Sequence, residues 1–156
     1  MEFTSIGVVR SPFTSHQGTP IQSAFAADAK GEIVLSPEYV EALADLDGFT
    51  RIWLVYAFHR AGSYQARVVP YRDTDARGLF ATRAPSRPNP IGISVLTLER
   101  IEENILYVAG IDMLDGTPVL DVKPYVPTFD SFPDGKAGWL DRKIIERRQA
   151  DKRFER

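Results

Sequence analysis

The residues best equipped for chemistry fall in two stretches. The first, Arg77-Gly-Leu-Phe-Ala-Thr-Arg83-Ala-Pro-Ser-Arg87-Pro-Asn-Pro-Ile-Gly92, carries three arginines, no carboxylate, and prolines at 85, 88 and 90. Proline restricts φ, so such a loop has few conformations to lose when it binds something. Arg83, Ser86, Arg87 and Asn89 are expected to stand out from it as donors. Guanidinium groups pair with phosphate or carboxylate through parallel hydrogen bonds. The same composition could make a rigid connector whose arginines only solvate a turn, but the loop holds more polar groups than a connector needs.

The second stretch is Gly110-Ile-Asp112-Met-Leu-Asp115-Gly-Thr-Pro118, continued by Asp121 and Lys123 on the way to Tyr125. Carboxylates at the end of a strand can accept hydrogen bonds from a ligand amine or ribose. An aspartate before glycine also builds a turn with no further purpose. Of the two histidines, His59 follows an apolar run and His16 sits in a polar loop, and neither has a partner at metal-ligand spacing, so no metal site is expected. Cysteine is absent, which removes disulfides, thiolate metal sites and thiol nucleophiles. No Ser–His–Asp order or phosphate loop stands out. The 11 glycines never occur as Gly-x-Gly, so the dinucleotide fingerprint is missing.

These residues need a scaffold, and 156 residues suit one domain. A chain of that size buries roughly 70% of its unfolded surface. Apolar residues make up 44% and charged residues 26%, as in ordinary soluble proteins. No basic n-region precedes an apolar run at the N-terminus, and the apolar run from Ile52 to Phe58 is too short to span a bilayer. A cytoplasmic protein with no membrane partner is expected. The net charge of −2 hides an uneven distribution: from Leu140 to Arg156 there are seven basic residues against four acidic ones. Such a segment could contact phosphate or simply solvate a helix.

Apolar periodicity and turn residues predict strands over 3–10, 32–35, 51–59, 78–82, 91–101, 105–111 and 119–122. Glu103-Asn104 is expected to join two of them as a hairpin. Ser36-Pro37 predicts the start of a helix that Gly48 ends. Trp139 to Arg153 can form a terminal helix with Leu140, Ile144 and Ile145 on one face. The expected fold is mainly β: a small single-domain β-barrel with one or two short helices, and not a Rossmann fold, because helices between successive strands are lacking. Residues 1–138 are assigned to the barrel and 139–156 to a basic helix or tail.

Five separated strings point to a family. They are Ile6-Gly-Val-Val-Arg-Ser-Pro12; Asp47-Gly-Phe-Thr-Arg-Ile-Trp53 with Phe58-His59; Arg77-Gly-Leu-Phe-Ala-Thr-Arg83; Arg87-Pro-Asn-Pro-Ile-Gly92; and Asp115-Gly-Thr-Pro-Val119 with Asp121-Val-Lys-Pro-Tyr-Val-Pro127. In this order they resemble the TsaA-like, or YaeB-like, family of TrmO-type tRNA methyltransferases. The resemblance covers about Phe3 to Pro127.

It implies a β-barrel, usually a homodimer, that binds S-adenosylmethionine and methylates the exocyclic nitrogen of threonylcarbamoyladenosine beside the tRNA anticodon. DNA is not an expected partner. By resemblance, Pro20, Ile21, Gln22, His59, Arg60, Arg83, Ile93, Asp112, Met113, Leu114 and Asp115 match cofactor-contacting stretches. Asp115, Arg87 and Asn89 are the candidate catalytic residues: Asp115 or His59 as proton acceptor, Arg87 and Arg83 on a carboxylate or phosphate, Asn89 on the base edge. Lys123 lies in a distinctive string with no role attached. Bacterial members carry an additional C-terminal domain, whereas this sequence ends at Arg156. The basic tail could take over tRNA docking, or the acceptor could be smaller. A non-catalytic RNA- or ligand-binding barrel is the alternative from another class.

Overall fold

Alternation along the apolar runs decides the architecture. Ile52, Leu54 and Tyr56 on one strand, and Leu96 and Leu98 on another, point to one side and are buried, while their neighbours face outward. Such period-2 faces close on one another as a barrel. The computed structural model describes residues 1–142 and 148–154. Its strands β1 (Gly7–Arg10), β2 (Lys30–Leu35), β3 (Arg51–Ala57), β6 (Ile91–Glu102), β7 (Ile105–Ala109) and β8 (Pro118–Pro124) form a closed barrel in the order β1-β2-β7-β6-β3-β8. All neighbours are antiparallel. Val9, Ile33, Leu54, Leu96, Leu106, Val108 and Val119 fill the interior with no exposure; each contributes about 1.5–3 kcal/mol by leaving water.

One feature of the closure matters for function. β6 is 12 residues long, pairing with β3 through Ile91–Thr97 and with β7 only from Thr97 onward. A bulge between Leu98 and Arg100 turns the strand there. Among the described residues, the first half of β6 therefore keeps one edge with no strand beside it. The expected hairpin is present: Glu103 adopts φ 52, and the Asn104 side chain donates to the Leu35 carbonyl at 2.6 Å.

Outside the barrel, β4 (Arg67–Val68) and β5 (Arg77–Gly78) make a two-stranded ribbon. Val68, Leu79, Ala84 and Phe154 form a second small core beneath it.

Three expectations are corrected. Residues 79–81 turn as a 3-10 helix where a strand was expected, because Leu79 is drawn into the second core while Phe80 faces out. The helix expected from Ser36 to Gly48 is two 3-10 pieces, Pro37–Leu43 and Leu46–Gly48, broken at Asp45 with φ 66. The terminal helix is not continuous: Gly138–Arg142 is a 3-10 turn, Gln149 bridges Pro20 as an extended segment, and Lys152–Phe154 is another 3-10 turn. Backbone pairing with residues 18–21 and burial of Phe154 outweigh helix propensity there. Ile144 and Ile145 lie outside the described residues. A four-residue α-helix not foreseen, Pro127–Asp130, starts on Pro127 and has the Asp130 carboxylate accepting from the Val126 amide at 2.8 Å.

Candidate functional site

Two loops and the free edge of β6 converge at one mouth of the barrel. The loop His16–Gln22, whose last residues Thr19–Gln22 face the site, is a polar, glycine- and proline-bearing sequence. The tail holds it: Gly18 donates to Ala150, Ala150 to Thr19, and Ile21 to Arg148, at 3.0, 2.7 and 2.9 Å. Facing it, the Arg83–Pro90 loop is tightened by short backbone bonds, Arg87 N–H to Pro85 at 2.7 Å and Ile91 N–H to Asn89 at 2.8 Å. Arg87 braces its own loop, donating from Nη1 to the Thr82 and Ala84 carbonyls at 3.0 and 3.3 Å. Arg83 crosses to the opposite loop, where Nη1 donates to Gln22 Oε1 at 2.8 Å. Ser86, expected to stand out as a donor, is instead buried.

The start of β6 forms the floor. A side chain at Gly92 would overlap the ring of Tyr56, so glycine is what lets that ring lie across the strand. Tyr56 OH and Ser94 Oγ are 3.1 Å apart, and Ser94 Oγ donates to Asp112 Oδ1 at 2.7 Å. Burial pushes the Asp112 carboxyl up to about 7, against the opposing pull of the Ser94 hydroxyl, the Ser23 amide and the Arg83 charge. The Tyr56 phenol is raised too, first by burial and then by Asp112. A carboxyl of this kind changes charge near neutrality and is a candidate functional group.

The parity of β6 settles what its backbone offers. Leu98 N–H donates to Thr50 and the Pro90 carbonyl accepts from Phe58, both toward β3, so even-numbered residues point that way. The Val95 carbonyl accepts from Ser23 Oγ on the other side. Ile93, between them in register, therefore turns its N–H and C=O to the open edge.

A cavity of about 250 Å³ fills the space between these parts, and Pro20, Ile21, Gln22, Arg83, Arg87, Ile93 and Asp112 all line it. A smaller recess of about 60 Å³ continues past Tyr56, Phe58 and Asp112 to His59, Arg60, Met113 and Leu114. His59 is shifted down, by burial first and then by the Arg60 charge, and so is neutral near pH 7. Two expected site residues are not brought here. Asp115 is exposed and lines neither space; its carboxylate accepts from the Ser11 amide at 3.0 Å. Asn89 is exposed beyond the rim. It is Asp112, not Asp115, that meets the arginine turn. Lys123 pairs with Asp121 at 2.7 Å on β8. Tyr56, Ser94, Phe58 and Tyr71 were missed as site residues; the first three sit in apolar strands that read as core, and Tyr71 in a stretch that reads as loop.

Comparison with known proteins is decisive at this point. The profile described as "tRNA-methyltransferase O N-terminal domain" matches residues 8–131. The chain belongs to the tRNA-methyltransferase O family. A relative from Pyrococcus abyssi, "Probable S-adenosyl-L-methionine-binding protein", is 45% identical over 97% of this chain and 84% of its own length. The Escherichia coli "tRNA (adenine(37)-N6)-methyltransferase" is 38% identical over 88% of this chain and 63% of its own. The crystal structure of TrmO from Pseudomonas aeruginosa superposes with TM-score 0.75 and 41% identity, covering 88% of this chain and 62% of that one. The chain thus spans most of its archaeal relative and just under two thirds of these two bacterial ones. The fold that superposes on that structure is a closed barrel, with no Rossmann unit among the described residues. Within it the barrel mouth offers a backbone edge, an aromatic wall, fixed guanidinium groups and a half-buried carboxyl, a set suited to a nucleoside-like ligand.

Proposed function

We propose that this chain is an S-adenosylmethionine-dependent methyltransferase that acts on the exocyclic nitrogen of threonylcarbamoyladenosine at tRNA position 37. The observation that carries the reading is the single cavity in which Thr19–Gln22, Arg83, Arg87, Ile93 and Asp112, far apart in sequence, line one wall after another. Family membership and the methyltransferase and cofactor-binding names of the relatives support it. The cavity chemistry fits the cofactor: the Ile93 backbone edge suits an adenine, and Asp112 suits an amino or ribose group. Assembly as a homodimer, with residence in the cytoplasm, belongs to the same proposal; Ile91 and Ile93, 38% and 47% exposed, offer apolar surface for a partner copy. So does the division into a catalytic barrel, 1–138, and a basic tail, 139–156.

When bound, S-adenosylmethionine supplies an activated methyl group on sulfur. The residues of this chain contribute alignment, which can lower a barrier by roughly 7–11 kcal/mol when both reactants are held in line. Arg83, fixed by Gln22, and Arg87, fixed by Thr82 and Ala84, present their remaining N–H groups to the threonyl carboxylate or a phosphate. Asn89, exposed beyond the rim, is assigned to RNA outside the cavity, where a base edge can reach it. Tyr56 and Phe58 keep water from the floor. Methylation replaces N–H by N–CH3, so one proton must leave the nitrogen. His59, neutral near pH 7, is the acceptor and passes the proton to solvent. Asp115 is assigned to the turn, where Ser11 already uses its carboxylate.

Methyl transfer from labelled cofactor to tRNA, with and without the threonylcarbamoyl group, tests the reading. Label on position 37 only when that group is present supports it; label on neither tRNA, or on a small acceptor instead, overturns it. His59→Ala is expected to slow single-turnover transfer about 100-fold, in the range of lost acid–base catalysis, with cofactor affinity unchanged. A rate equal to the parent's at saturating cofactor would remove His59 from the chemistry.

A further inference from the structure

Beside the reaction cavity lies a second, of about 480 Å³, that the chemistry above does not use. The two share Ile21, Gln22, Tyr71, Arg83 and Pro85 as a common wall. On its far side stand Phe80, 76% exposed, and Trp139. Phe80 is thrust outward by construction, since its neighbour Leu79 anchors the turn in the second core. The Trp139 indole is held in place by Nε1–H donating to the Ala81 carbonyl at 2.8 Å.

Each ring carries a guanidinium. Arg87 lies over Phe80 at 5.5 Å, and Arg77 over Trp139 at 5.4 Å. Arg77 is itself fixed by the buried Asp73 carboxylate at 2.6 Å. Asp75 is also engaged by Arg77, at 3.5 Å. Arg72 and Arg83 complete a cationic lining. Aromatic faces beside the Arg83 and Arg87 guanidiniums suit planar bases strung on phosphates, because any base can stack and these cations meet the backbone charge. Arg77, paired with Asp73 and Asp75, steadies the Trp139 ring.

We propose that Phe80 and Trp139, flanked by Arg87 and Arg77, are a stacking platform for unpaired RNA bases next to the nucleotide whose base enters the reaction cavity. The inference rests on the tRNA reading above and specifies how the RNA is gripped. The loop of a tRNA anticodon arm is single-stranded, so bases beside the target are available to stack. Contact through Arg83 on the shared wall links the platform to the cavity.

The test uses the full chain carrying Trp53→Phe, which leaves Trp139 as its one tryptophan, titrated with an anticodon stem-loop RNA and with a blunt RNA duplex of equal length. Stem-loop RNA should quench the indole and the duplex should not. Phe80→Ala should weaken stem-loop binding about 5- to 100-fold, leave calorimetric S-adenosylmethionine affinity unchanged, and be rescued by Phe80→Tyr. Phe80 is exposed, so its removal spares the fold. Equal quenching by duplex, or unchanged RNA affinity in Phe80→Ala while the parent still methylates tRNA, overturns the platform and leaves the enzyme reading standing. A parent that binds no RNA and methylates none overturns both, and a protein contact then explains the exposed rings.

Discussion

Asp112 holds its proton to nearer neutrality than an ordinary carboxyl because burial beside Ser94 and Tyr56 disfavours its charge, although the residue as a whole is half-buried and faces the cavity. Its ordinary value is 3.8 and its folded value about 7. Between these, the folded chain holds a proton that the unfolded chain has lost, so stability falls as pH rises through that window and stays lower above it. Asp112→Asn is expected to flatten this part of the profile, melting closer to or above the parent at pH 8 than at pH 5. Parallel melting curves against pH would show that Asp112 is not buried as described. At Gly92 the constraint is steric. Gly92→Ala drives a methyl into a buried ring, with a cost of about 1–3 kcal/mol and at least a tenfold loss of cofactor affinity by calorimetry. Retention of affinity would mean that Tyr56 does not form the floor. By resemblance, sequence reading reached Asp112 and Asp115 together as one cofactor-contacting stretch and took Asp115 as a candidate base, with nothing local to show which carboxylate faces the site. What distinguishes them is Ser94, eighteen residues away, and no local pattern reports that bond.

At the scale of elements, the segment 148–154 is a brace for the loop that lines the cavity. Phe154, 6% exposed, anchors it in the second core, and its backbone pairs with residues 18–21. Phe154→Ala should therefore raise amide exchange at Gly18 and Ile21 and weaken cofactor binding several-fold, while amides of Ile33, Leu54 and Leu96 keep their protection. Uniform loss of protection would mean that tail and barrel unfold together. The barrel strands were legible because 51–57 and 91–102 are runs of apolar β-formers, but the inner face was not, since Trp53, Val55, Ile91 and Ile93 are apolar and yet face outward. The tail was not: its charge and spacing read as a helix, and the extended pairing of Gln149 with Pro20 is a tertiary choice. The same holds for 79–81, where a strand pattern yields to the pull of Leu79 into a separate core.

For the whole molecule, closure of six strands leaves one edge of β6 open, and the loops on either side convert that gap into a site. Barrel class and family strings were readable in advance because they rest on local composition and order. That the strings at 20–22, 83–87 and 112 face one another follows only from the closed strand order. The most direct test of this account is amide exchange mapped on the full chain during S-adenosylmethionine titration. Protection should grow at Thr19–Gln22, Arg83–Arg87, Ile93 and Asp112–Leu114. Protection confined to residues outside this cavity, such as Trp53 and Tyr125, or none at saturating cofactor, would contradict it.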